Sequence, residues 1–85
     1  MILQLRFFAR IREAVGCDTL RLELPGDREW SIEAVAALLA ERGPQWSAEL
    51  MRPNTLSALN QAVCDRDQTV SDGDELAFFP PVTGG

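Results

Sequence analysis

At 85 residues and 9.4 kDa the chain is one domain's worth, near the small end of what a single hydrophobic core can hold together. A content of 46% hydrophobic and 25% charged residues is ordinary for a globular protein and excludes disorder and collagen-like repeats. Thirteen acidic residues against eight basic give a net charge of −5. That excludes a general nucleic-acid or membrane-surface binder, since both need a basic footprint, and predicts a protein partner with a basic patch.

Leu3, Leu5 and Phe7 alternate with Gln4 and Arg6, the period-two pattern of a half-buried strand. Ala9–Gly16 breaks the alternation and ends on glycine, so it reads as a loop or one helical turn. A second strand is predicted over Thr19–Leu24, with Leu20, Leu22 and Leu24 inward and Arg21 and Glu23 outward; Pro25-Gly26-Asp27 stops it. Ser31 is a good N-cap for the helix-forming run IEAVAALLAERG, in which Ile32, Val35, Leu38 and Leu39 share a face. Glu33 enters its positive end, Arg42 lies at the other, and Gly43 and Pro44 terminate it. Trp30 and Trp46 flank this helix and read as completing its packing rather than binding a ligand.

Gln45–Met51 reads as a short second helix, Leu56–Leu59 as a strand ended by Asn60-Gln61, and Ala62–Cys64 as a further short strand. Asp72-Gly73-Asp74 turns the chain into a last strand, Glu75–Phe79. A hairpin followed by a crossover helix packs that helix on one face of a mixed sheet. The predicted class is α+β, in the ubiquitin-like or β-grasp arrangement, with first and last strands adjacent in the middle of the sheet. Residues 1–79 form the domain and 80–85 an extended tail.

Side-chain chemistry is conspicuously thin. The chain has no His and no Tyr, and all eight basic residues are Arg. There is thus no His general base, no Ser–His pair, no His metal ligand, no Lys for a Schiff base and no phosphate-loop lysine. Cys17 and Cys64 are 47 positions apart without partner ligands at metal spacing, which fits two structural thiols in a reduced cytoplasmic protein, with a disulfide between them as the alternative. The N-terminus lacks the basic stretch of a signal peptide, and no apolar run approaches the ~18 residues of a membrane helix. Asp65, Asp67, Asp72, Asp74 and Glu75 do not make a calcium loop, because the sixth position from Asp65 is Val70 rather than glycine. No metal site is expected.

The ending FFPPVTGG is the most informative segment. Alternation turns Leu76 and Phe78 toward the helix and leaves Ala77 and Phe79 on the other face. Phe79 is then either a lone surface aromatic or a docking residue. Pro80 and Pro81 cannot donate ladder hydrogen bonds, so the strand stops and the tail Pro80-Pro81-Val82-Thr83-Gly84-Gly85 projects, reaching up to roughly 20 Å at ~3.3 Å per residue. Gly84-Gly85 alone would read as a frayed end. After a stiff diproline it reads instead as a slender tip able to enter a narrow channel. A terminal carboxylate becomes reactive once adenylated, and replacing its oxygen by sulfur gives a nucleophilic thiocarboxylate. None of the missing side chains is needed for that.

DGDELAFFPPVTGG (Asp72–Gly85), LRFFARIREAVG (Leu5–Gly16) and LNQAV (Leu59–Val63) resemble the small-subunit family of molybdopterin synthase, the sulfur carriers of molybdenum-cofactor synthesis. The resemblance implies that Gly85 is adenylated by a partner activating enzyme using ATP, then thiocarboxylated with sulfur from a donor. It further implies that Pro80, Pro81, Val82, Thr83 and Gly84 insert into the large synthase subunit, where sulfur passes to cyclic pyranopterin monophosphate to form molybdopterin. No bound cofactor, nucleic acid or membrane is implied. By the same resemblance Phe79 is an interface aromatic and Arg12 an arginine that docks onto the activating enzyme, with an ordinary solvated charge as the competing reading of Arg12.

Other readings remain open on sequence alone. The thiamine-pathway sulfur carriers share the Gly-Gly end, although the FFPPVT approach favours the molybdopterin assignment. A protein modifier would join its activated carboxylate to a target lysine. A non-catalytic adaptor would keep its function without Gly84-Gly85.

Overall fold

Leu3, Leu5 and Phe7 all lie buried in the first strand, and their alternation sets the orientation of the whole sheet. The computed structural model describes residues 1–81. Its elements run β1 (Ile2–Phe7), α1 (Ala9–Val15), β2 (Thr19–Glu23), α2 (Ile32–Ala40), α3 (Pro44–Leu50), β3 (Leu56–Leu59), β4 (Ala62–Cys64) and β5 (Glu75–Phe79). Among the described residues the strands form one sheet in the order β2-β1-β5-β3-β4. β1 and β5 are parallel at its centre, with Leu5 opposite Leu76 and Phe7 opposite Phe78, while the remaining pairings are antiparallel. The expected α+β, ubiquitin-like β-grasp fold is the one observed.

Ile32, Val35, Ala36 and Leu39 of α2 are buried with Leu3, Leu5, Phe7, Leu76 and Phe78 in one core. Each Å² of apolar surface that this contact removes from water contributes about 25 cal/mol to folding. Ser31 caps α2 as expected, its Oγ accepting from the Ala34 N–H at 3.1 Å. Trp30 is buried and donates from Nε1 to the Pro25 carbonyl at 3.1 Å. Trp46 meets the Phe7 ring edge-on at 5.4 Å, so both indoles serve packing.

Two local expectations need correction. Ala9–Val15 is a seven-residue helix rather than a loop or single turn. Ile11 anchors it in the core, and Gly16, at φ 79°, closes its C-terminus by donating to the Arg12 carbonyl. Helix α2 ends at Ala40, before Gly43-Pro44. That pair instead opens α3, with Gly43 as N-cap and Pro44 in the first turn, where a missing N–H costs nothing.

Within the acidic stretch, Asp72 and Asp74 have structural roles. Asp72 Oδ1 accepts from the Ile2 N–H at 2.6 Å, Asp74 Oδ2 accepts from the Ser71 N–H at 2.7 Å, and Asp74 Oδ1 accepts from Asn60 Nδ2 at 3.0 Å. Cys17 and Cys64 are free thiols, each half-buried.

Candidate functional site: outer sheet face and tail stem

The parallel register of β1 and β5 duplicates one motif across the middle of the sheet. Phe7 ends β1 with Phe8 just beyond it, and Phe78-Phe79 ends β5, with Phe7 directly opposite Phe78. Both inner rings are buried and stack at 6.2 Å with planes 12° apart. Phe8 keeps an extended backbone (φ −126°, ψ 155°), so the alternation carries it to the outer face, as it does Phe79. Sequence alternation therefore placed Phe79 correctly, half-buried on the side away from the helices.

Around these rings the outer face is apolar. Leu56 lies opposite Phe79, Ala58 opposite Ala77, and Val63 opposite Ala58, so three strands contribute to one surface. Phe8, Leu56 and Val63 are exposed, Val63 to 69%. A hollow of about 420 Å³ is lined by Arg6, Phe8, Ala58, Gln61, Glu75, Ala77 and Phe79. Arg6 lies over the Phe8 ring, 5.2 Å from its centre, and pairs with Glu75 at 3.7 Å, leaving a largely charge-balanced rim. Such a contiguous apolar surface with a polar edge has the make-up of a protein interface.

The chain leaves this face through Pro80 and Pro81, both half-buried. β5 stops at Phe79, as the diproline requires. The two prolines share a second hollow, of about 400 Å³, with Ala9, Arg10, Arg52 and Asn54. Val82, Thr83, Gly84 and Gly85 lie outside the described residues. Arg12 is exposed on α1 and lines neither hollow, so the structure does not bring it to Phe79 or the stem.

Phe8, Leu56 and Val63 escaped the sequence reading. The repeated FF pair was a usable signal for Phe8, since both pairs close strands. No local pattern announces Leu56 or Val63, whose strands are only four and three residues long.

Among the described residues no cluster of His, Cys, Asp and Glu is arranged to hold a metal, and no helix is long and apolar enough to cross a membrane.

The ThiS family model matches residues 5–85. The molybdopterin synthase sulfur carrier subunit of Haemophilus influenzae is 43% identical over 84 residues, spanning 99% of this chain and 100% of the relative. Its counterpart from Escherichia coli is 39% identical over the same shares of both chains. A chain from the Helicobacter pylori complex of subunits 1 and 2 of molybdopterin-converting factor shares the fold, with a TM-score of 0.69 at 24% identity and full coverage of both chains. The chain thus belongs to the ThiS family, alongside the molybdopterin synthase sulfur carrier subunits.

Proposed function

We propose that this protein is the sulfur-carrier subunit of a molybdopterin synthase, with the Gly85 carboxylate as its reacting group. The observation that carries the reading is the end-to-end match, at 43% identity, to a relative bearing that name. A partner activating enzyme uses ATP to convert the carboxylate to an acyl-adenylate, releasing pyrophosphate. Sulfide-level sulfur from a donor then displaces AMP, and the thiocarboxylate passes its sulfur to cyclic pyranopterin monophosphate inside the large subunit, water taking its place on the acyl carbon and restoring the carboxylate. The chain contributes a sulfurtransferase subunit with no turnover of its own and no bound cofactor, working in the cytoplasm.

Each part of the fold has a task in this scheme. The outer face, with Phe79 at its edge, docks the carrier on the large subunit, an arrangement in keeping with the two-subunit assembly of the Helicobacter pylori relative. Pro80 and Pro81 aim the tail, Val82 and Thr83 extend it, and Gly84-Gly85 give it a tip without β-carbons. Arg12, on a separate surface, serves the activating enzyme. Arg6 and Glu75 border the apolar hollow and fix orientation more than affinity.

Intact-mass analysis after incubation with ATP, the activating enzyme and a sulfur source tests the chemistry. A sulfur-for-oxygen exchange localised to Gly85 is expected. An unmodified terminus under conditions that convert a known carrier would refute the assignment.

A further inference from the structure

The groove beside the tail stem has an unbalanced charge. Arg10 on α1 and Arg52 just beyond α3 both reach the same carboxylate oxygen, Glu49 Oε1, at 3.4 and 3.8 Å. Two guanidinium groups thus share one carboxylate. Both contacts run through Nε, which leaves the Nη nitrogens of each fork for other acceptors. The Glu49 side chain is 12% exposed, whereas those of Arg10 and Arg52 are 45% and 44% exposed. The negative partner is sunk and the positive groups face outward. This occurs on a chain of net charge −5, in the hollow that also holds Pro80 and Pro81.

We propose that the Arg10–Arg52 groove is a docking site for carboxylate side chains at the rim of the large subunit's tail channel. The inference rests on the sulfur-carrier reading above and adds the recognition chemistry at the mouth of that channel. Any protein that encloses the tail must close around its stem, and these two arginines line the stem's own hollow. Guanidinium forks match carboxylates in a planar, two-pronged geometry. A nucleic-acid occupant is disfavoured by the acidic remainder of the chain. At physiological salt, charges screen one another beyond about 8 Å, so a docking rim would feel the local arginine pair more than the distant acidic residues. The groove is joined to the outer hollow through the chain itself, Ala9 following Phe8 and Pro80 following Phe79.

The test compares the full chain with Arg10→Glu/Arg52→Glu, Arg10→Gln/Arg52→Gln and Arg10→Lys/Arg52→Lys double variants. Affinity for the large subunit is measured at about 50 and about 300 mM salt, alongside the melting midpoint of each variant. The Glu pair should weaken binding about tenfold or more at low salt, with the gap narrowing at high salt. The Gln pair should lie between it and the parent, and the Lys pair should keep the parent's salt dependence. The Gln and Lys variants keep the test decisive should the Glu variant unfold beside Glu49. Equal affinity and equal salt slope for the parent and the Gln pair would overturn the inference. So would impaired adenylation with unchanged large-subunit binding, which would give the groove to the activating enzyme. Failure of the parent chain itself to bind the large subunit would instead remove the functional reading, and this inference with it.

Discussion

Phe78 and Phe79 are adjacent in the chain and lie on opposite faces of the sheet. The first is fully buried and stacks on Phe7, while the second lines the open apolar hollow. Truncating them should therefore separate folding from binding. Phe78→Ala is expected to cost about 3–5 kcal/mol of stability. Phe79→Ala should leave the denaturation midpoint almost unchanged and weaken large-subunit binding by roughly 2 kcal/mol or more. Chemical denaturation and titration on the same preparations check both, and the reverse pattern would mean that the outer face is not the interface.

Arg66 ties three parts of the structure together. Its guanidinium donates to the Leu50 carbonyl at the end of α3, pairs with Glu33 in the first turn of α2 at 3.4 Å, and lies 5.7 Å from the centre of the Phe78 ring. Arg66→Ala should cost about 1–3 kcal/mol, because it strips a partly buried carbonyl of its charged donor. Glu33→Gln should cost under about 1 kcal/mol, since that carboxylate is more than half exposed. Urea midpoints of the two variants distinguish a backbone staple from a surface ion pair.

The β3–β4 hairpin turns through Asn60 and Gln61, at φ 51° and 71°. Positive φ at both central residues is the requirement of a type I′ turn, and Asn-Gly meets it best. Gln61→Gly should raise stability by about 0.5–1 kcal/mol by relieving the left-handed backbone. A lower melting midpoint would show that Gln61 contributes more through its side chain, which lines the outer hollow, than it costs in the turn.

At the tail, Gly84→Val or an added bulky residue after Gly85 should abolish sulfur transfer in a system reconstituted with activating enzyme, sulfur donor and large subunit. Misplacing a reacting group by about 1 Å can already cost ~100-fold in rate. Both positions lie beyond β5, so melting should match the parent. Undiminished transfer by both variants would favour an adaptor whose tail has no chemical role.

Strands whose pattern is self-contained were readable from sequence, and assembled features were not. Glu75–Phe79 and Leu56–Leu59 were bounded correctly because turn residues flank each run. Ala9–Gly16 reads in sequence as a loop or one turn, and not as the helix Ala9–Val15, since a helix with one buried residue, Ile11, has no apolar stripe to count. The end of α2 is not fixed by Gly43-Pro44, because Gly-Pro both stops one helix and starts another, and only packing decides which. Phe79 was legible from alternation beside a diproline. The Arg10–Glu49–Arg52 cluster was not, because α1 meets α3 from 39 positions away and no periodicity encodes that meeting.

The parallel pairing of β1 with β5 also bears on the order of events during synthesis. Among the described residues β5 is the last strand in chain order, yet it fills the central slot between β1 and β3. Until it inserts, the hairpin β1–β2 and the hairpin β3–β4 have no hydrogen-bonded link through the sheet. A chain without β5 therefore lacks a continuous sheet, and completing it brings together residues some seventy positions apart, the kind of closure that slows folding. The segment that closes the sheet is the one from which the tail emerges. The outer apolar face, which includes Phe79 and Ala77, is therefore complete only once β5 has inserted between β1 and β3.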